Sequence, residues 1–311
     1  MKKLTNNSII TSKGRNIILN RAYTENADLS ATEYLPVTQA KFGINNQTPN
    51  IADTDLSLTI PIDDGTVCDD GSNTLTGSAG GDNSTDNTTT YKEGAGASDV
   101  TAQNLIANDT SASKTWTISD LTTAGANAVA TKYVGLWFYV KDATALAKLL
   151  TSGTCLELRI GADSTTNYYS QVWTVAELST GWNWLSDAKL LSTWTDEGTP
   201  GTLNDFQIII TTNNATDEFV AGDIVYDLLR QWETDDTILD IDTSYPTFDY
   251  TNNEVTIQTK INTLKGNGFD IDGVGWVNED TSVLMADEDT FNAESKGSTD
   301  ELIFETRNRI L

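Results

Sequence analysis

The sequence predicts a mainly β protein in which an antiparallel jelly-roll sandwich interrupts a split, β-rich docking domain that carries an N-terminal helix. Three observations point there. Short runs of alternating hydrophobicity recur through the middle of the chain: YVGLWFYV (133–140), CLELRI (155–160), NYYSQVW (167–173), GWNWL (181–185), FQIIITT (206–212) and DIVYDLLRQW (223–232). A period of two is what a strand with differently placed faces requires. Seven of the eight tryptophans fall in the same stretch, between Ser84 and Glu233. The segments before and after it look like two halves of one further domain.

In chain order, residues 1–62 open with a candidate helix: Ser12 is placed to cap it, and Ile17, Ile18 and Ala22 share a face. A strand-like KFGI (41–44) follows, then the turn-forming NNQTPNIADTD (45–55). LSLTIPI (56–62) alternates, setting Leu56, Leu58, Ile60 and Ile62 on one side. Residues 63–83 begin a polar Gly/Ser/Thr/Asn/Asp tract with too few apolar side chains for a core, and predict a flexible linker. Residues 84–236 are the sandwich. In it Val134, Leu136, Phe138 and Val140 oppose Tyr133, Trp137 and Tyr139, Leu156, Leu158 and Ile160 point inward with Glu157 and Arg159 outward, and Trp182 and Trp184 share a face. DATALAKLL (142–150) is a short helix capped by Asp142. Residues 240–311 supply the second half of the split domain. EVTIQTKINTL (254–264), FDIDGVGWV (269–277), VLMA (283–286) and ELIFETRNRI (301–310) predict a meander of about four strands.

Composition narrows the chemistry. The 311 residues are enough for two ordinary domains. Forty-five acidic against 19 basic residues give a net charge of −26, a surface that repels nucleic acid and anionic membranes. It suits a basic partner surface or cation binding. Histidine is absent, which removes the commonest general base, the commonest metal ligand and every Ser–His or Cys–His dyad. No P-loop, nucleophile elbow or dinucleotide fingerprint occurs, so no catalytic residues are assigned and a non-enzymatic protein is expected. Cys68 and Cys155 are too few for a disulfide framework. Met1-Lys2-Lys3 is followed by polar Thr5, Asn6, Asn7 and Ser8 rather than an apolar run, so no signal peptide is expected.

Two sets of side chains are candidate sites. Trp137, Tyr139, Trp173, Trp182 and Trp184 are the aromatic rings that could stack on a sugar, since an exposed ring face matches the apolar face of a pyranose. The competing role for each is filling a sandwich core or a subunit interface. Carboxylate clusters such as DDGSN (69–73) lack the spacing and closing glutamate of an EF-hand.

GRNIILNRAY (14–23), KFGINNQTPNIADTDL (41–56) and IPI (60–62), with Gly268, Phe269, Ile271, Gly275, Asn278, Asp280, Leu284 and Ala286, resemble the attachment domain of bacteriophage tail-collar fibre proteins. The middle block, with YKEGAGASDVT (91–101) as opening strand and Asp227 and Leu229 on the closing one, resembles carbohydrate-binding-like jelly rolls in phage structural proteins. The resemblance implies a virion component, assembled in the bacterial host cytoplasm and placed in the tail, collar or baseplate as an attachment or fibre-adaptor protein. A capsid decoration or head-fibre protein is the alternative, and a glycan-binding module touching the host surface a further one. Implied partners are other virion proteins and further copies of the chain, as a trimer or ring, with a host glycan as an additional ligand. It also implies a structural calcium held by Glu93 and Asp227.

Overall fold

The computed structural model describes residues 2–6, 9–10, 37–44, 56, 59–62, 65–77, 82–92, 101–108, 110–119, 121, 132–186, 191–201, 204–278 and 284–309. The chain is mainly β, and it divides into two compact units, residues 1–64 with 234–311 and residues 65–233. The helix expected from Ser12 lies outside the described residues.

The first unit begins with β1 (Lys2–Asn6), β2 (Ile9–Ile10) and β3 (Val37–Gly43). The chain then builds the whole second unit from β4 (Thr66–Asp69), β5 (Thr76–Gly77), β6 (Asn83–Asn87), β7 (Ala102–Ile106), β8 (Ser113–Ile118), β9 (Tyr133–Val140), β10 (Thr154–Asp163), β11 (Asn167–Thr174), β12 (Gly181–Leu185), β13 (Thr195–Glu197), β14 (Asp205–Thr211) and β15 (Ile224–Trp232). It returns to the first unit as β16 (Ile238–Asp240), β17 (Thr247–Asp249), β18 (Glu254–Ile261), β19 (Asp270–Asn278), β20 (Leu284–Ser295) and β21 (Leu302–Arg309).

In the second unit the described strands pair in one antiparallel ladder, β12-β9-β15-β7-β6-β5-β8-β14-β10-β11-β13, with β4 also paired to β15. Side chains from both ends of that ladder share one core. Val134, Leu136, Phe138, Ile224 and Tyr226 meet Trp116, Leu156, Leu158, Phe206 and Ile208. The ladder therefore curls back on itself and buries one face in a sandwich-like arrangement. The two-residue strand β5 links β6 to β8 in the ladder, and its Gly77 lies against the Asp82 backbone, where a side chain would collide. The helix Ala143–Lys148 forms as the sequence expects, with the Asp142 carboxylate accepting hydrogen bonds from Thr144 N at 2.8 Å and Ala145 N at 2.9 Å.

Residues 63–83 correct the sequence reading. They carry β4 and β5, with Cys68 and Leu75 buried in the core. The tract is too polar to form a core alone, but its polar groups satisfy each other and the neighbouring strands. Leu75 N donates to Ser84 Oγ at 2.6 Å and Tyr226 Oη to Asp69 Oδ2 at 2.6 Å, so burial leaves them paired.

The first unit holds two sheets, β1-β21-β18-β17 and β16-β3-β19-β20-β2. Every pairing is antiparallel except β1 with β21, which is parallel. The sheets meet through Phe42 of β3 and Phe304 of β21, whose rings lie 4.9 Å apart, and through Trp276 Nε1, which donates to Thr306 Oγ1 at 2.8 Å. The expected meander is corrected: β18 pairs β21 in one sheet and β19 pairs β20 in the other, because alternation marks a strand without naming its partner. LSLTIPI is corrected too. Of its described residues, Thr59 makes only an isolated bridge with Gly43, while Leu56, Ile60 and Ile62 are buried. The apolar side chains seal the core without extending a ladder.

Candidate functional site

Strand β9 alternates, sending Val134, Leu136, Phe138 and Val140 into the core. Its other face carries Tyr133, Gly135, Trp137 and Tyr139. Antiparallel register sets Trp182 of β12 opposite Tyr139, Trp184 opposite Trp137, and Trp232 of β15 opposite Tyr133. The rings form a continuous chain. Tyr139 lies 5.2 Å from Trp182, Trp182 is 6.5 Å from Trp137, and Trp137 is 5.0 Å from Trp184. Trp184 is in turn 5.8 Å from Trp232, which stacks on Tyr133 at 5.9 Å. These are the separations at which aromatic pairs attract. Gly135 makes the arrangement possible, since a Cβ there would sit 2.6 Å from Trp184 Cζ2 and 3.0 Å from Trp232 Cη2.

Four of the five aromatic residues chosen from the sequence, Trp137, Tyr139, Trp182 and Trp184, thus come together. Trp173 stands apart from them, opposite Leu156 in the core. Within the ladder, Trp137, Trp184 and Trp232 are buried and their faces are taken up by neighbouring rings, with Lys92 Nζ also 4.4 Å above Trp137. Only Tyr139 and Trp182 among the four keep half-exposed rings.

Asp227 is buried on β15 opposite Trp137, and its Oδ2 accepts a hydrogen bond from Lys92 N at 2.7 Å. Gly71, at φ +82°, lies against its other oxygen, and an added Cβ would be 2.8 Å from Asp227 Oδ1. Asp69 sits on the other side of the same turn. It accepts from Tyr226 Oη at 2.6 Å, Gly71 N at 3.3 Å and Asn73 Nδ2. Burial pushes the Asp69 carboxyl above its ordinary range, and burial beside Asp69 pushes the Tyr226 hydroxyl well above its own. These carboxylates are fed by protein donors and hold the 70–73 turn. Calcium needs about six to eight oxygen ligands. Glu93 lies outside the described residues, and no group of three or more His, Cys, Asp or Glu among the described residues is placed to hold a metal ion.

The other layer carries a second outward face. Register aligns Thr117 of β8, Gln207 of β14, Arg159 of β10, Ser170 of β11 and Thr195 of β13 in one row across the sheet. Gln207 Nε2 donates to Thr117 Oγ1 at 2.9 Å. Arg159 grips Glu157 with Nε to Oε1 at 2.7 Å and Nη2 to Oε2 at 3.3 Å, and its guanidinium lies 4.5 Å above the Tyr168 ring. Arg159 is the one charged group of this row, and Glu157, one row away, balances it. The row's other members are neutral donors and acceptors, and the next row, that of Tyr168, carries Glu197 and Asp205. Alternation sets Glu157 and Arg159 outward. Ser170 comes from the adjoining hairpin strand, while Thr117, Thr195 and Gln207 come from farther off in the chain and only pairing reveals them.

No protein-family model matches the chain and no curated protein matches it, so the phage resemblance rests on the sequence residues that carry it.

Proposed function

We propose that the chain is a non-enzymatic structural component of a bacteriophage virion, an attachment or fibre-adaptor subunit of the tail, collar or baseplate. Residues 65–233 are a jelly-roll-type module carried within a split docking domain. The supporting observation is how each unit closes around the interruption. In the first unit Ile62 N donates to Asp236 O at 2.7 Å, so the two points where that unit is left and re-entered lie side by side. In the second, Thr66 pairs with Gln231, so its entry and exit are neighbouring positions of one ladder. A module whose ends are adjacent can be carried in a connection of another domain without disturbing it. An acidic surface, and no histidine anywhere in the chain, suit assembly better than catalysis.

The test is mass spectrometry of density-banded virus particles from a culture whose phage encodes this chain. Its peptides are expected at a fixed, low copy number, as tail symmetry requires. Copy numbers of a capsid lattice would favour the decoration reading instead. Absence from intact particles would overturn the virion assignment.

The charge-balanced row around Arg159 favours a second role for the same module, contact with an uncharged host glycan. Sugar hydroxyls need coplanar donors and acceptors, and the row supplies them beside the Tyr168 ring. On a glycan array, signal from residues 65–233 that Arg159→Ala abolishes supports this role, and an array without signal removes it.

A further inference from the structure

Sheet edges in this protein are treated in two ways. In the second unit the edge strand β13 is fully exposed and carries Asp196 and Glu197, charges that discourage another chain from pairing there. In the first unit every residue of the edge strand β17 is also exposed, but beside Asp249 it carries Phe248, and Tyr250 follows in the turn. Phe248 is 59% exposed and Tyr250 is 85% exposed. Their rings are stacked 6.0 Å apart at 13°. Phe248 is paired with Val255, which shares its side of β18 with buried Ile257 and Ile261. The apolar face of the sheet therefore runs outward past its cover and ends on two uncovered rings.

The hairpin that presents them is rigidly made. Asp249 Oδ1 accepts from Thr251 N at 2.9 Å and Asn252 N at 3.2 Å, and Asn252 Nδ2 donates to Asp249 Oδ2 at 2.7 Å. Asn253 takes the left-handed φ of +52° that closes the turn. Among the described residues no strand pairs with the outer side of β17. A preformed aromatic pair beside an open edge offers both halves of strand addition, with backbone groups for affinity and side-chain surface for selection.

Two magnitudes identify the occupant. At their exposures the two residues present about 300 Å² of surface in all, of which the apolar ring area is only a part, so the patch is no larger than the lower end of a functional one. A stable dimer needs about 800 Å² from each partner, so this edge is too small to hold two copies of the chain together by itself. A second copy would also bring its own charge of −26, whereas Asp249 and Glu254 flank the rings. We infer that the β17 edge, with Phe248 and Tyr250, is a docking site for an extended segment of a basic partner protein, added as a further antiparallel strand. This goes beyond the virion assignment and holds whichever assembly the chain belongs to.

The probes are three synthetic ten-residue peptides: alternating Lys and Val, alternating Glu and Val, and the Lys–Val peptide with two central residues replaced by Pro. Each is titrated into the full chain and into a Phe248→Ser/Tyr250→Ser variant. Both replaced side chains are largely exposed, so the variant should melt with the wild type, and thermal unfolding confirms that it is folded. The Lys–Val peptide is expected to bind the wild type and to protect the amides of residues 247–249 from hydrogen exchange. The double variant should weaken it about tenfold or more, and the Glu–Val and Pro-interrupted peptides should fail. Equal binding of the Lys–Val peptide by the variant would overturn the proposal, since attraction would then reside elsewhere on the acidic surface. So would a Phe248-dependent dimer of the wild type in sedimentation velocity, which would make a second copy the occupant.

Discussion

Replacing Gly135 by Ala tests whether the aromatic ladder is a close-packed structural element. The new Cβ would stand 2.6 Å from Trp184 Cζ2 and 3.0 Å from Trp232 Cη2. Carbon atoms rest at about 3.5–4.0 Å, so Trp184 must retreat by roughly 1 Å and Trp232 by about half that. Neither ring has slack, because Trp184 is held by Trp137 on one side and by Trp232 on the other. Overpacking of this kind costs about 1–3 kcal/mol. The loss of backbone freedom in the unfolded chain returns about 0.4–1 kcal/mol, leaving a net loss of about 1–2 kcal/mol. For a unit of this size that lowers Tm by about 2–8 °C. The specific signal is near-UV circular dichroism, which reads the coupling of the displaced rings. Gly181→Ala is the control on the paired strand, since Gly181 has φ +92° and nothing within 4 Å of an added Cβ. Its cost of about 1–2 kcal/mol is backbone strain and should leave the aromatic spectrum unchanged. A Gly135→Ala protein with wild-type spectrum and Tm would refute the packing argument.

Burial, reinforced by the Asp69 charge, pushes the Cys68 thiol up to about 12, and burial pushes the Cys155 thiol up to about 11. Neither should react with a disulfide reagent at pH 8 until the chain is denatured, when two thiols appear; fast labelling of the folded protein would contradict this. Asp69 is raised by burial above its ordinary 3.8, so the folded state holds more protons than the unfolded one just above that pH. Stability therefore falls as pH rises from 3.8 through the raised value, and Asp69→Asn should flatten that slope in pH-resolved melts, whereas parallel slopes would assign it to another group. Tyr226→Phe removes the 2.6 Å donor and should cost about 1.5–3 kcal/mol in urea unfolding, with no loss expected if the bond is unimportant.

Strand identity was legible in the sequence wherever one face meets a core. The alternation in YVGLWFYV and GWNWL is enough to place Trp137 and Tyr139 on one side of β9, and Trp182 and Trp184 together on β12. What alternation cannot carry is partnership. Thr117, Gln207, Arg159, Ser170 and Thr195 form one row only because five strands, of which just β10 and β11 make a simple hairpin, find a common register. Polar strands were equally hidden. β4 and β5 lie in a tract whose composition resembles a linker, and β20 runs for 12 residues through an acidic sequence of which only VLMA reads as a strand. Backbone pairing holds all three strands, and around β4 and β5 side-chain hydrogen bonds replace the apolar periodicity on which a local reading depends. The exposure of Phe248 and Tyr250 was illegible for the opposite reason: aromatics in TFDY are as compatible with a core as with an edge, and only the sheet order places them at an edge.

The interruption of the first unit also sets an order of stability. Its halves can associate only if the residues between Ile62 and Asp236 bring their ends together. Were residues 65–233 unfolded, closing a loop of that length would cost about 4–5 kcal/mol in chain entropy. Once folded, the module already holds Thr66 opposite Gln231, a spacing of about 5 Å, and most of that cost disappears. The first unit therefore draws stability from a module whose core it does not share. Native-state hydrogen exchange on β18 and β21 measures this directly. Gly135→Ala, a change confined to the sandwich, should lower protection in those strands once the module's own stability falls below that of the first unit. A chain with residues 65–233 replaced by an Asn-Gly turn should keep the protection intact. If the shortened chain fails to protect β18 and β21, the two flanks do not fold as one domain, and both the closure argument and the split-domain reading fall with it.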